Sequence, residues 1–250
     1  MKRRPMLLAL SALLAGVPVY AADVAPVKVL VPLLVQGPVR ELEPLLRARV
    51  RIPVAVEYTT MMQVTARLRS GETADLAIIS KAAADELATR GIVQSHTDLL
   101  RSASGVAVAD TAPAPVLNTT EDFVAFLKAT PSIAYFAGGS GAIVTQVIEK
   151  YGLAEVMKPK STVINDGLTS ALLKQGRVAS AVQSLSELKA GGATNIVPVP
   201  EAIQVRPVVG LTVLKGAARA EAVAEVVKVL ESPEAAAIYR RYGLEPVFGK

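Results

Sequence analysis

The sequence has no cysteine, no tryptophan and one histidine, and aromatic residues make up only 4% of its 250 positions. Without cysteine there is no disulfide framework, thiol nucleophile, zinc–thiolate site or iron–sulfur cluster. With one histidine, a histidine metal cage or a serine–histidine pair has almost no raw material, and no metal or cofactor is expected. That residue, His96 in "GIVQSHTDLLRSAS", reads as a solvated loop residue. So few aromatics leave no stacking platform for single-stranded nucleic acid. Long Lys/Arg runs are also missing, which excludes an electrostatic footprint for nucleic acid. No internal repeat or low-complexity tract is present.

What is present begins at the N-terminus. Lys2, Arg3 and Arg4 precede "MLLALSALLAGV", an apolar run too short to span a bilayer comfortably, and Ala21 and Ala22 supply small residues after it. These features predict a secretory signal peptide over 1–21 and a periplasmic mature protein. Three of the chain's five net positive charges belong to that segment, which leaves the mature chain near +2. An exported chain without disulfides relies on its core alone. Ala, Val and Leu dominate the 51% of residues that are hydrophobic.

Short β-branched runs alternate with helical periods. "VKVLVPLLV" (27–35), "VAVEY" (54–58), "ADLAIIS" (74–80), "SGVAVA" (104–109), "SIAYFA" (132–137), "STVIN" (161–165), "VASAVQS" (178–184), "NIVPVP" (195–200) and "VVGLTVLKG" (208–216) read as strands. Between them, "TMMQVTARLRSG" carries Met61, Val64 and Leu68 on one helical face, with Gly71 as its stop. Asn118 and Glu121 have capping-box spacing, Asp166 reads as an N-cap, and Pro233 sits at a first-turn position. This alternation predicts an α/β fold of two lobes, each a mostly parallel sheet flanked by helices.

"SGETADLAIIS" and the closing "SPEAAAIYRRYGLEP" resemble segments of the periplasmic molybdate-binding-protein-like solute-binding proteins of ABC-type uptake systems. The resemblance covers nearly the whole mature chain. It implies the type II periplasmic binding fold, with lobe 1 over 22–105 plus 208–250 and lobe 2 over 106–207. It also implies a hinge cleft that takes ligand and a membrane permease as partner. Open α/β sheets bind ligands at the C-terminal ends of their strands in any case.

Four segments would then line the cleft. The first runs from Val31 to Gly37. Molybdate-type members place a serine there, whereas this chain has Pro32, Leu33, Leu34 and Val35, so Leu34 would contact ligand with backbone amides and Gln36 as donors. That departure points to an anion larger and less symmetrical than an oxyanion. The second is Thr59-Thr60, where a hydroxyl can cap the following helix and also meet an anion. The third is Gly138-Gly139-Ser140-Gly141, which lacks the Gly-Lys-Ser/Thr of a phosphate loop and the Gly-x-Gly-x-x-Gly of a dinucleotide site. It reads as an amide nest for a compact anion, with Gly139, Ser140 and Gly141 in contact. The fourth is Gln183-Ser184. Arg206, near the second crossover, would suit a carboxylate.

The leading functional reading is a monomeric binder of a small anion, carboxylate or oxyanion, that delivers it to an ABC permease. The alternative is an isomerase of an unsaturated tricarboxylate such as aconitate on the same scaffold. Its candidate acid–base residues are Glu57, Tyr58, Lys81, His96 and Glu187. A ligand-sensing partner of a membrane receptor would use the same cleft.

Overall fold

The computed structural model describes residues 25–217 and 219–249, so the predicted signal segment 1–21 lies outside the described residues. In chain order the elements are β1 (Val27–Pro32), α1 (Gln36–Arg49), β2 (Val54–Thr59), α2 (Met61–Arg69), β3 (Leu76–Ser80), α3 (Lys81–Thr89), β4 (Val93–Arg101) and β5 (Ser104–Val108). There follow α4 (Thr120–Ala129), β6 (Ile133–Phe136), α5 (Ala142–Lys150), α6 (Ala154–Met157), β7 (Ser161–Ile164), α7 (Thr169–Lys174), β8 (Ser180–Ser184) and α8 (Leu185–Ala190). The chain closes with β9 (Ile196–Pro198), β10 (Val208–Leu214), α9 (Ala220–Leu230), α10 (Pro233–Arg241) and β11 (Glu245–Pro246).

Two sheets form, with strand orders β11-β4-β10-β3-β1-β2 and β7-β6-β8-β5-β9. Each is mixed. The β1–β2, β1–β3, β6–β7 and β6–β8 pairs are parallel, and β10 and β5 run antiparallel to their neighbours. The chain crosses between the sheets after β4 and again before β10. All of β5, from Ser104 onward, lies in the second sheet.

Both faces of each sheet are covered, which is why β3 reads as an unbroken apolar run. On the first sheet, α1, α9 and α10 cover one face through Leu42, Val226 and Tyr239; Val64, Leu68 and Leu87 of α2 and α3 cover the other. On the second, Phe123, Leu127 and Val144 bury one face, while Leu173 and Leu188 bury the other. Buried Tyr239 keeps its hydroxyl satisfied by donating to the Leu230 carbonyl at 3.0 Å.

Several local expectations shift. The first apolar run is strand only to Pro32, and Leu33–Val35 turns as a 3₁₀ segment into α1. The capping box of α4 is Thr119 with Asp122, one position later than the Asn118–Glu121 pair. Asp166 accepts from its neighbour Gly167 N–H at 2.8 Å, and α7 starts at Thr169 without a side-chain cap. His96 is in β4, not a loop. Its Nδ1 lies 2.8 Å from Thr212 Oγ1 on the paired strand β10.

Candidate functional site

The parallel βα units place four strand ends, and the helix starts that follow them, around one cleft. Pro32, Leu33 and Leu34 lead from β1 into α1; Thr60, Met61 and Met62 start α2; Ser80 and Ala82 start α3; Gly138, Gly139 and Ser140 lead from β6 into α5. Ser102 and Pro207 of the two crossovers, Asn165 beyond β7, and Glu187 of α8 also line it. The space measures about 760 Å³.

Sequence chemistry sets the local geometry. Thr60 Oγ1 accepts from Gln63 N–H at 3.2 Å, and Ser80 Oγ accepts from Ala83 N–H at 3.3 Å. Each hydroxyl thus takes the third amide of its helix. The amides of Met61, Met62, Lys81 and Ala82 have no acceptor inside their helices. Gly139 holds a φ of +53°, in the left-handed region. At Gly141 a Cβ would stand 2.0 Å from the Phe136 carbonyl oxygen, so the turn closes only over glycine.

The cleft is rich in neutral donors and has no unpaired cation among the described residues. Arg69, its one cationic lining residue, grips Glu86 with two hydrogen bonds, Nε to Oε1 at 2.8 Å and a second from its terminal nitrogen. Ser102 is 2% exposed and its Oγ has no hydrogen-bond partner, although it lines the cleft. Apolar side chains, among them Leu33, Leu34, Met61, Met62, Phe136 and Val209, make up the rest of the wall.

Glu187 is the buried carboxyl of the site. It and Ser184 form the capping box of α8. Its Oε2 accepts from Ser184 Oγ at 2.6 Å, Ser140 Oγ at 3.2 Å and Ser184 N–H at 3.3 Å. Burial pushes its pKa up, against hydrogen bonds from Ser184, Ser140 and Gln183 that favour the ionised form.

The predicted contacts separate into two groups. Leu34, Thr60, Gly139 and Ser140 line the cleft. Thr59, Gly141, Gln183, Ser184 and Arg206 are not lining residues. Thr59 ends β2 opposite Pro32. Gly141 is packed against Phe136. Gln183 is fully buried, its carbonyl accepting from Thr169 N–H at 2.9 Å and Oγ1 at 3.1 Å. Ser184 supports Glu187 from behind, and Arg206 is paired with Glu201.

Of the five acid–base candidates only Glu187 lines the cleft. Glu57 is paired with Arg67 and Lys28, and Lys81 with Asp85. Tyr58 donates to Glu43 at 2.7 Å, beneath the Arg40 guanidinium. His96 is held by Thr212, with burial lowering its pKa. Sequence reasoning missed Ser80, Ser102, Asn165 and the Arg69–Glu86 pair. Ser80 carried a signal, a hydroxyl at a strand-to-helix junction; Ser102 carried none.

Residues 27–245 match the family described as bacterial extracellular solute-binding protein. The chain belongs to that family. The chain is also similar to an aconitate isomerase from Pseudomonas sp, at 28% identity over 257 residues, 98% of this chain and 97% of that protein. The Azotobacter vinelandii periplasmic molybdate-binding protein superposes with a TM-score of 0.73 at 17% identity, covering 90% of this chain and all of that one (100%). A tungstate ABC transporter structure from Geobacter sulfurreducens gives a TM-score of 0.62 at 14% identity, over 87% of this chain and 98% of that one. This solute-binding protein has the two-lobed, molybdate-binding-protein-like fold of those neighbours.

Proposed function

We propose that the protein captures a small anion, a carboxylate or oxyanion, in the interlobe cleft and presents it to the membrane permease of an ABC transporter from the periplasm. The carrying observation is the convergence of helix starts with open amides on a cleft whose one lining cation is already paired. Amide dipoles favour an anion there and need no full counter-charge. In this reading the lobes close over the ligand by bending at the crossovers near 102–103 and 204–207. The permease as partner is supported by the family and by the transporter named for the tungstate-binding neighbour.

The test is thermal denaturation against molybdate, tungstate, sulfate, phosphate, citrate and the aconitate isomers. A true ligand raises the Tm by several degrees when well above its Kd. No shift with any of them would sink the anion reading.

A second reading is favoured by the aconitate isomerase relative and by Glu187. An allylic isomerisation takes a proton from one carbon of the substrate and returns it to another, and a buried carboxyl whose pKa is raised by burial suits that transfer. Incubation with trans-aconitate, followed by NMR for the cis isomer, decides it. Absence of turnover removes this reaction.

A further inference from the structure

Glu187 is the one ionisable group lining the cleft, among the described residues, that has no ionic partner, because Arg69 and Glu86 satisfy one another. Its position is fixed by neutral donors: Ser184 Oγ, Ser184 N–H and Ser140 Oγ, with the Gln183 side chain alongside. Ser140 is itself anchored, its carbonyl accepting from Ser104 Oγ at 2.9 Å.

The elements packed on α8 bring no counter-ion. Strands β5, β8 and β9 and the 3₁₀ turns at Leu33–Val35 and Gly139–Gly141 contain no ionisable residue. Lys174 of α7 is bound to Asp110 at 2.7 Å, and Lys189 of α8 donates to the Arg241 carbonyl at 2.6 Å. On α1, Arg40 covers the Tyr58 ring, Glu43 accepts from the Tyr58 hydroxyl, and Glu41 pairs with Arg241.

An anion entering this cleft therefore meets a buried carboxyl with no cation to offset it. Two negative charges side by side in such a place repel strongly, and a proton held between them removes the repulsion. We propose that Glu187 is protonated in the complex and donates to a carboxylate of the bound anion, so that capture takes up one proton. The ligand class is a di- or tricarboxylate. Its carboxylate matches the carboxyl donor, and its carbon skeleton suits a cleft of about 760 Å³ walled in part by Leu33, Met61, Met62 and Phe136. A tetrahedral metal oxyanion has no apolar part to place there. The proposal rests on the anion reading of the cleft.

Two measurements separate it from that reading. The first needs no ligand. Carboxyl ¹³C resonances of labelled glutamate are titrated in the wild-type protein, with Glu187→Gln identifying the Glu187 signal. The expected midpoint lies above about 4.3, the ordinary glutamate value; a midpoint at or below it overturns the proposal even if anions bind. The second is calorimetry with trans-aconitate in two buffers of different ionisation enthalpy, at roughly one pH unit above that midpoint. Uptake approaching one proton is expected, with affinity falling about tenfold per pH unit beyond the midpoint. Glu187→Gln then shows no uptake and no slope, and above the midpoint it binds more tightly than wild type. Binding without proton uptake, or weaker binding by Glu187→Gln at that pH, overturns the proposal alone. Failure of every carboxylate and oxyanion probe to bind overturns the anion reading and the proposal with it.

Discussion

The backbone N–H of Ser102 donates to the carbonyl of Pro207 at 3.0 Å, so the two crossover segments are tied together where both reach the cleft. The Ser102 hydroxyl beside that bond is buried and has no partner. A buried unpaired hydroxyl costs free energy in the empty protein that a bound acceptor recovers. Ser102→Ala keeps the backbone tie and removes the hydroxyl. Its apo Tm is expected to match or exceed wild type, while ligand affinity falls about tenfold, equivalent to about 1.4 kcal/mol. Differential scanning fluorimetry with and without ligand checks both; unchanged affinity means that the hydroxyl does not meet the ligand.

Glu187 makes a separate prediction about stability. Its folded-state pKa is raised by burial, so the folded protein holds that proton more tightly than the unfolded chain. Below the ordinary value of about 4.3 both states are protonated and the group contributes nothing. As pH rises through that value the unfolded chain ionises first, and stability falls until the folded-state midpoint is passed. Glu187→Gln lacks this term. Urea denaturation at several pH values should therefore show the variant gaining on wild type as pH rises above about 4.3. A difference that stays flat with pH contradicts this.

The acidic side has the opposite sign. Arg67 joins Glu57 and Glu72, and Lys28 completes the cluster at 3.1 Å and 2.8 Å. Arg67, with Lys28 behind it, holds Glu72 down at about 2 and lowers Glu57 as well. Their stabilisation is present above the ordinary carboxylate pKa and is lost as pH falls toward about 2. The side chains are partly exposed, so Arg67→Met is expected to cost no more than about 1 kcal/mol near neutrality. That cost should shrink toward zero in acid denaturation series. A deficit independent of pH would locate it in packing of the Arg67 stem.

The glycine turn gives a paired test. Gly141→Ala drives a methyl into the Phe136 backbone and is expected to cost about 1–3 kcal/mol in denaturant unfolding, with loss of ligand stabilisation. Gly138→Ala is the control. Its φ of −132° suits any residue, and no heavy atom lies within 4 Å of the added carbon. Equal behaviour of the two variants would contradict the close approach.

The parts of the fold legible in the sequence are those governed by local chemistry. The apolar run of β3, the cap at Thr60 and Pro233 at a helix start all come from neighbouring residues, and the first two place walls of the cleft at Thr60 and Ser80. What escaped was decided by which partners the fold brings together. Strand β4 alternates poorly and is strand because β10 pairs with it along its length. Arg206 looked available from its position, but Glu201, five residues earlier, takes it. In the sequence Glu187 is one of five acid–base candidates with nothing to set it apart. Only the packing of α8 under Ser140 makes it a buried carboxyl facing the cleft.

Strand β4 has β10 and β11 as its strand neighbours, and β10 also separates it from β3. Both partners are the last two of the described strands, so during synthesis residues 93–101 wait without a strand to pair with until residues 208–246 emerge. The first sheet cannot close on a growing chain. Its assembly joins contacts more than a hundred residues apart, the kind that form slowly because a long loop must be ordered first. The first sheet therefore stays open at β4 until residues 208–246 have emerged, and a truncation before residue 208 would take from β4 both of the described strands it pairs with.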